Sequence, residues 1–245
     1  MTRRAAIFVG PSLTRADLAS RKGFCWLPPA AQGDIYRIAL AKPPAIGLID
    51  GRFETIPAVW HKEILWTLRQ GIRVYGAASM GALRAAELAS FGMIGVGAIF
   101  EDFRSGCLED DDEVALIHGP KELGYRSLSE AMVDIRTTLE AAQAAGIISR
   151  RTMDALLRIA KSSFFKERSW DRIFQQATRN RISKSQLSKL ARWLPANRIE
   201  RKRMDALAML DTMSRDLILS PPSLRVEFDF QHTVYWQQLI DANRQ

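Results

Sequence analysis

The stretch from Tyr75 to Leu88, YGAASMGALRAAEL, holds the residue pattern best suited to nucleophilic chemistry. An apolar run, Ile72 to Tyr75, leads into Ser79, Gly81 and an alanine-rich segment typical of a helix. In a nucleophile elbow, a sharp strand-to-helix turn presents a serine hydroxyl, and the first helical amides stabilise an oxyanion. Because Ala77 occupies the first glycine position of Gly-x-Ser-x-Gly, a serine N-cap before a buried helix is the competing interpretation.

A candidate general base lies in the preceding helical segment, Val59 to Leu65. There a charged triplet, His61-Lys62-Glu63, interrupts an apolar pattern. A lysine beside an apolar wall loses hydration, and a Ser–Lys pair can replace Ser–His in activating a hydroxyl. Lys62 is therefore a candidate base for Ser79, with His61 as the alternative and Glu63 as an orienting group. Charges on the polar face of a surface helix are the competing explanation.

Other motifs argue against metal and nucleotide chemistry. The acidic run Glu109 to Glu113 precedes the apolar segment Val114 to His118, which predicts a helix capped by Asp112. It lacks the Asp-x-Asp-x-Asp-Gly spacing of a calcium loop, so no metal is predicted. The chain has neither a phosphate-binding Gly-x-x-x-x-Gly-Lys-Ser/Thr loop nor a dinucleotide glycine fingerprint, so no cofactor is expected.

Composition indicates a cytoplasmic protein without membrane segments. The 245 residues are 47% hydrophobic and 25% charged, as in ordinary globular proteins. No apolar run reaches the ~18 residues that a membrane helix needs, and the apolar stretch before Gly10 is too short for a signal peptide. The two cysteines, Cys25 and Cys107, have no ligand spacing, which favours a reducing compartment.

The net charge of +8 is concentrated in one region. Residues 150–203 hold 16 Lys and Arg against 4 Asp and Glu, whereas the rest of the chain has 19 basic and 23 acidic residues. A basic segment on a near-neutral body favours an acidic partner, either a protein face or a nucleic acid. A solvated helical surface with no dedicated partner is the alternative.

The predicted elements give an α/β fold with a small, mostly parallel sheet and crossover helices, followed by an all-helical region. Short apolar runs predict strands at Ala5–Val9, Ala45–Ile49, Ile72–Tyr75 and Gly95–Phe100, with helices at Ile56–Leu68 and Met80–Ala89. Parallel pairing would place Gly10-Pro11-Ser12, Asp50-Gly51 and Ser79 on one sheet edge. We expect domains at residues 1–125 and 126–245.

The second half shows helical spacing throughout. Capping-box patterns at Ser127/Glu130 and Ser183/Gln186 predict helix starts, and Pro195 is expected to end the helix that begins at Ser183. The other helix predictions are a start at Ser149 and the segments Trp170–Gln176 and Ile199–Met213. The aromatic tail, with Phe228, Phe230, Tyr235 and Trp236, is expected to pack back on the body.

Five sequence blocks, in order, resemble the core of the TfuA-like family. They are FVGPSL at 8–13, IDGRF at 49–53, VWHKEIL at 59–65, GAASMGALRAAEL at 76–88 and DDEVA at 111–115. The resemblance covers roughly residues 5–120. It implies a hydrolase-like protein that releases sulfide from a thiocarboxylated carrier protein of the ThiS type. It also implies a YcaO-type partner enzyme, which activates a peptide amide with ATP so that sulfur replaces oxygen. This chain would then engage the peptide substrate only indirectly, through the YcaO enzyme.

The resemblance also implies roles for individual residues. The serine of its Ser–Lys pair matches Ser79, and Lys62 is the match for the lysine. The Met80 N–H would then be the oxyanion donor beside Gly81, and Arg84 would hold a carboxylate or the carrier's C-terminal backbone. The supporting groups expected around them are Asp50, His61, Glu63 and Glu87. A plain ion pair between Arg84 and Glu87, three residues apart on one helix, is the competing account.

Two other functions stay open at this point. A non-catalytic adaptor would recruit peptide or carrier to the YcaO enzyme through the basic helical region, using Lys184, Lys189, Arg201 and Arg203. If the protein instead bound nucleic acid, the SKSQLSK stretch at 183–189 would serve as a recognition helix. The core motifs point away from nucleic acid, so it is not among the expected partners.

Overall fold

The structure is a computed structural model that describes residues 4–52, 56–219 and 224–243. Its centre is a five-stranded, all-parallel sheet in the order β2-β1-β3-β4-β5. The strands are β1 (Ala5–Phe8), β2 (Phe24–Leu27), β3 (Ala45–Leu48), β4 (Arg73–Gly76) and β5 (Ile94–Gly95). This confirms the predicted α/β fold with a parallel sheet in the first half and helices in the second.

Eleven α-helices lie within the described ranges. They are α1 (Arg15–Ala19), α2 (Asp34–Leu40), α3 (His61–Arg69), α4 (Met80–Leu88), α5 (Ala98–Ser105), α6 (Met132–Ala144), α7 (Arg150–Ser162), α8 (Trp170–Arg179), α9 (Lys184–Asn197), α10 (Arg201–Leu219) and α11 (Val234–Ala242). The inner strands β1 and β3 are short and fully buried, as expected where crossover helices cover a parallel sheet.

The chain forms two compact units, residues 1–109 with 203–245, and residues 110–202. The first contains the sheet because α10 and α11 return to it from the end of the chain. This division into compact units does not test the predicted domains 1–125 and 126–245. The domain boundary at residue 125 therefore stays a prediction.

Helix α10 covers one face of the sheet. Met209, Leu210 and Met213 are fully buried in one cluster with apolar side chains of β1 and β3. A Cβ on Gly47 of β3 would come within 2.9 Å of the end of the Met209 side chain, so α10 packs closely against the sheet at this glycine. The Tyr75 hydroxyl donates a hydrogen bond of 2.6 Å to Asp216 and fixes the far end of the helix.

The unit 110–202 is a helical bundle with its own core. α6, α7, α8 and α9 contribute its buried apolar residues, among them Leu139, Leu156, Ile173 and Leu190. Ser149 and Ser169 cap α7 and α8, each accepting a hydrogen bond from the backbone N–H three residues later. The start of α7 at Ser149 and the helix beginning at Trp170 are therefore as predicted.

The acidic run does not cap a helix, so that prediction was wrong. Residues 111–113 form a single 3-10 turn, and residues 114–118 are not helical. The Asp112 carboxylate instead pairs with Lys161 and, at 2.8 Å, with the fully buried Arg168. Arg168 also donates to the carbonyls of Ala160, Asp112 and Ser163, so its charge is satisfied inside the bundle.

Three other element predictions need correction. No helix starts at Ser127, because its neighbour Leu128 donates to the Ile117 carbonyl in a local antiparallel bridge, and α6 begins at Met132. Pro195 lies inside α9, two residues before the helix ends. The strand predicted at Gly95–Phe100 stops at Gly95, since Gly97 turns the chain into α5, whose Ile99 N–H donates to Asp205.

The buried Asp134 carboxyl gives a pH prediction. It accepts the Lys202 N–H at 3.1 Å, and its burial raises its pKa to about 6. Between the ordinary carboxyl value, about 4, and about 6, the folded state holds more protons than the unfolded chain. Stability from this group therefore falls as pH rises.

We expect the wild type to lose about 2 kcal/mol of unfolding free energy relative to Asp134→Asn between pH 4 and pH 7. Urea unfolding of both proteins across that range measures it. Carboxyls with lowered pKa values, such as Asp112, titrate below this window and are common to both proteins. If the difference in unfolding free energy between the two proteins did not change with pH, Asp134 would have an ordinary carboxyl pKa.

Candidate functional site

The loops that follow β1, β3 and β4 meet at the carboxyl edge of the sheet, as the sequence predicts. Asp50, directly after β3, accepts hydrogen bonds from the N–H groups of Gly10 (2.8 Å) and Ser12 (3.1 Å), and from the Ser12 hydroxyl (2.7 Å). The strand order reverses between β1 and β3, and ligands of open parallel sheets bind beside such a switch point. Asp50 thus ties two loops together at the edge where binding is expected.

The backbone turns sharply just before Ser79. Ala78 has a positive φ of 67°, and the Ser79 N–H donates to the Ala77 carbonyl two residues back at 2.8 Å. A three-residue turn with a positive φ at a non-glycine centre is strained, and such strain is held in place only by its surroundings. A sharp turn is therefore present where the elbow was predicted, with the positive φ at Ala78 rather than at the serine.

Close packing between α4 and the sheet holds this turn. A Cβ on Gly81 would lie 1.8 Å from the Leu48 carbonyl oxygen, and one on Gly76 would lie 2.2 Å from the Gly81 oxygen. The Gly81 N–H donates to the Ile49 carbonyl, which joins the helix start to the end of β3. The Met80 side chain fills the space that a Cβ on Gly51 would need, at 2.6 Å.

The first amides of α4 define where an oxyanion could bind. Gly81 donates to Ile49, and both Ala82 and Leu83 donate to the Ser79 carbonyl. Among the described residues, the Met80 N–H has no acceptor, as is usual for the first residue of a helix. Ser79 itself is 2% exposed. An acyl group that reacts at Ser79 must therefore reach a residue almost fully shielded from solvent, next to the Met80 amide.

The Lys62 side chain is engaged by the C-terminal segment of the chain. Its Nζ donates to the Thr233 hydroxyl at 3.0 Å and lies 5.5 Å from the centre of the Phe230 ring. Thr233 also caps α11, because its hydroxyl accepts the Trp236 N–H. The lysine predicted as the base thus holds the start of α11 in this structure.

His61, Arg84 and Glu87 form one charged cluster across α3 and α4. His61 Nε2 lies 2.7 Å from Glu87 Oε2, and an Arg84 Nη donates to the same oxygen at 2.6 Å. Arg84 Nε donates to the Val59 carbonyl at 2.9 Å. Although burial opposes ionisation, the His61 hydrogen bond and the Arg84 charge hold the pKa of Glu87 below its usual value. The ion pair of Arg84 with Glu87 is present within α4, and the His61 contact with Glu87 links α3 to α4.

Glu63 is fully buried and has a structural environment. It accepts hydrogen bonds from the N–H groups of Trp60, Tyr36 and Gly33, at the starts of α3 and α2. Burial raises the pKa of Glu63 despite these amide donors. Glu63 therefore links two helix starts, and its effect on Lys62 is through the position of α3.

Sequence reasoning placed Ser12 on the same sheet edge as Asp50 but did not predict their hydrogen bond, and it did not single out Thr233, the partner of Lys62. The Ser12 side chain at the end of the FVGPSL block binds Asp50, and Thr233 binds Lys62 from 171 residues away. For Ser12 a signal existed, since a polar residue after an apolar strand faces the same edge as Asp50. For Thr233 the sequence offers no local signal.

A family model of the TfuA-like proteins matches residues 50–169, about half of the chain. The match starts at Asp50 and takes in Lys62, Ser79 and the α4 start. The chain belongs to the TfuA-like family. No curated protein matches it. Phe53, which ends the IDGRF block, lies outside the described residues.

Two properties of this TfuA-like protein bear on its chemistry. None of the helices that the structure describes combines the length and the apolar character needed to cross a membrane. Over the same residues, no three His, Cys, Asp or Glu side chains gather as metal ligands would.

Proposed function

We propose that this TfuA-like protein hydrolyses the thiocarboxylate of a ThiS-like sulfur carrier and so supplies sulfide to a YcaO-type enzyme that thioamidates a ribosomal peptide. The observation that carries the proposal is the strained turn at Ala78, which places Ser79 at the start of α4 beside the Met80 N–H. A serine nucleophile and an oxyanion donor are two of the three parts that acyl transfer requires.

The proposed reaction has two steps. The Ser79 Oγ attacks the thiocarboxylate carbon, the C–S bond breaks, and the serine proton passes through the base to sulfur, which leaves as hydrogensulfide. Water then cleaves the acyl-serine ester, which restores the hydroxyl and gives the carrier's carboxylate and a proton. The Met80 N–H would donate to the oxyanion in both steps. Both steps balance without an oxidant or a reductant.

Lys62 is the proposed base, and its present contacts define what must change. To take the Ser79 proton, its amine must come within about 2.6–3.2 Å of Oγ. In the structure, Thr233 and Phe230 hold this amine. Binding of the carrier tail would have to release it from the C-terminal segment. His61, paired with Glu87, is the alternative base.

Substitution of Lys62 tests the proposed base. We expect Lys62→Ala to lower sulfide release from a thiocarboxylated ThiS-like carrier by about 10²-fold or more, while Thr233→Val keeps the activity. Both changes remove the same hydrogen bond to α11, so the comparison separates proton transfer from attachment of the C-terminal segment. If both variants kept wild-type activity, Lys62 would serve only to anchor α11. Loss in both would mean that the anchored segment itself is needed.

A further inference from the structure

The charge of the basic segment is not spread evenly over the folded bundle. Most of its members with described contacts are neutralised: Arg150, Lys161, Arg168, Arg172, Arg198 and Arg203 each pair with a carboxylate. Arg203, one of the residues considered for partner docking, is bound by both oxygens of Asp17. The surface that attracts an acidic partner must therefore be sought among the other residues.

Three arginines without a described ion pair line one cavity. The cavity of about 730 Å³ lies between α7, the end of α8 and the start of α9, all within residues 110–202. Arg151, Arg158 and Arg181 stand on its wall, and its lining contains no acidic side chain. Over the described chain, no carboxylate lies within ion-pair distance of these three guanidinium groups. Such a concave, uncompensated positive surface concentrates anions.

We propose that this cavity binds an extended acidic polypeptide segment. A cavity of this size suits a short peptide rather than a single small anion. Its lining also includes the amide side chains of Gln176, Asn180 and Gln186, which can donate to and accept from a peptide backbone. Guanidinium groups bind carboxylates through two parallel hydrogen bonds.

The spacing of the arginines indicates which peptide fits. Arg151 and Arg158 are two turns apart on the same side of α7, or about 10 Å along the helix. A polyproline-type segment repeats every three residues over about 9 Å, so acidic residues at every third position would face both arginines. Gln186 is already fixed, since its Oε1 accepts the Ser149 N–H at 2.7 Å.

Nucleic acid is less well matched to this cavity. Its lining contains no aromatic side chain, so it offers no platform for base stacking. Trp170, Phe174 and Trp193 pack in or against the bundle core instead. The cavity belongs to the unit 110–202 and Ser79 to the unit that holds the sheet, and binding at the cavity does not depend on the hydrolase proposal.

The test is the binding of a labelled twelve-residue peptide with glutamate at every third position, followed by fluorescence anisotropy with the full chain. We expect the variant R151Q/R158Q/R181Q to weaken binding about tenfold or more. K184Q/K189Q/R192Q removes the same charge from exposed positions of α9 outside the lining and is expected to change affinity only slightly. A glutamine-substituted peptide should not bind.

Arg181 allows folding and binding to be separated. Its φ of +56° favours glycine, so Arg181→Gly should leave the bundle folded. The same substitution should weaken binding of the acidic peptide. Equal weakening in the two triple variants would overturn the proposal, because only net charge would then matter. Tighter, cavity-dependent binding of a single-stranded oligonucleotide would overturn it in favour of nucleic acid. Unaltered peptide binding in all variants would exclude the cavity as the binding site of the acidic peptide.

Discussion

Ser79→Ala is expected to reduce sulfide release from a thiocarboxylated carrier by at least about a thousandfold. Removal of a nucleophilic hydroxyl leaves only the oxyanion donor and substrate binding, which together supply a small part of the rate in serine hydrolases. The methyl group of alanine fits the buried position, and the turn is held by backbone contacts of Gly81 and Gly76. The fold should therefore survive, with a stability change of about 1–2 kcal/mol.

The matched control is Ser163→Ala. The Ser163 hydroxyl is also buried and donates to the Ile159 carbonyl at 2.9 Å, but it lies in the helical bundle. We expect a similar stability change with full sulfide release. If Ser79→Ala keeps wild-type activity while folded, Ser79 is an N-terminal helix residue without catalytic function, and the adaptor role becomes the better proposal. Mass spectrometry of the wild type with a slow carrier substrate should detect the acyl-serine.

Local sequence patterns were sufficient for the strands that carry the site. β1, β3 and β4 are apolar runs that end at Gly10, Asp50-Gly51 and Gly76, and their parallel pairing follows from the intervening helices. β2 was missed because it is an edge strand of only four residues. Short edge strands carry little periodic signal.

Contacts between distant segments could not be predicted in this way. α10 was predicted as an amphipathic helix, yet only the fold shows that its Met209 and Met213 cover Gly47 of β3. The contact of Lys62 with Thr233 joins residues 171 positions apart and depends on how α11 returns to the sheet. The elbow at Ser79 was predicted from residue sizes, whereas the strain at Ala78 follows from the packing around it.

The ion pairs of the basic segment, residues 150–203, could not be predicted from the sequence either. Sequence gives its net charge but not the pairing of each side chain, which depends on tertiary contacts. Lys161 is an example: three carboxylates of the acidic run, Asp110, Asp112 and Glu113, surround its amine. Although burial opposes its ionisation, these hydrogen bonds raise the pKa of Lys161. Much of the apparent partner-binding charge is therefore used within the bundle.

Gly81→Ala is expected to destabilise the protein by about 3 kcal/mol or more. Its Cβ would lie 1.8 Å from the Leu48 carbonyl oxygen and 2.7 Å from the Leu48 carbonyl carbon, which are backbone atoms of β3 and cannot turn aside. Helix α4 must move off the sheet to make room. Alanine itself favours a helix by about 1 kcal/mol over glycine, so any loss measures the clash.

Gly23→Ala is the matched control, because a Cβ there meets no heavy atom within 4 Å. Urea unfolding should show a large drop in midpoint for Gly81→Ala and little change for Gly23→Ala. Since Ser79 lies two residues before Gly81, sulfide release should fall together with stability, even at temperatures where the variant stays folded. A Gly81→Ala protein as stable as the wild type would mean that α4 is not seated on β3. The turn at Ala78 would then lack the support that keeps Ser79 beside the Met80 amide.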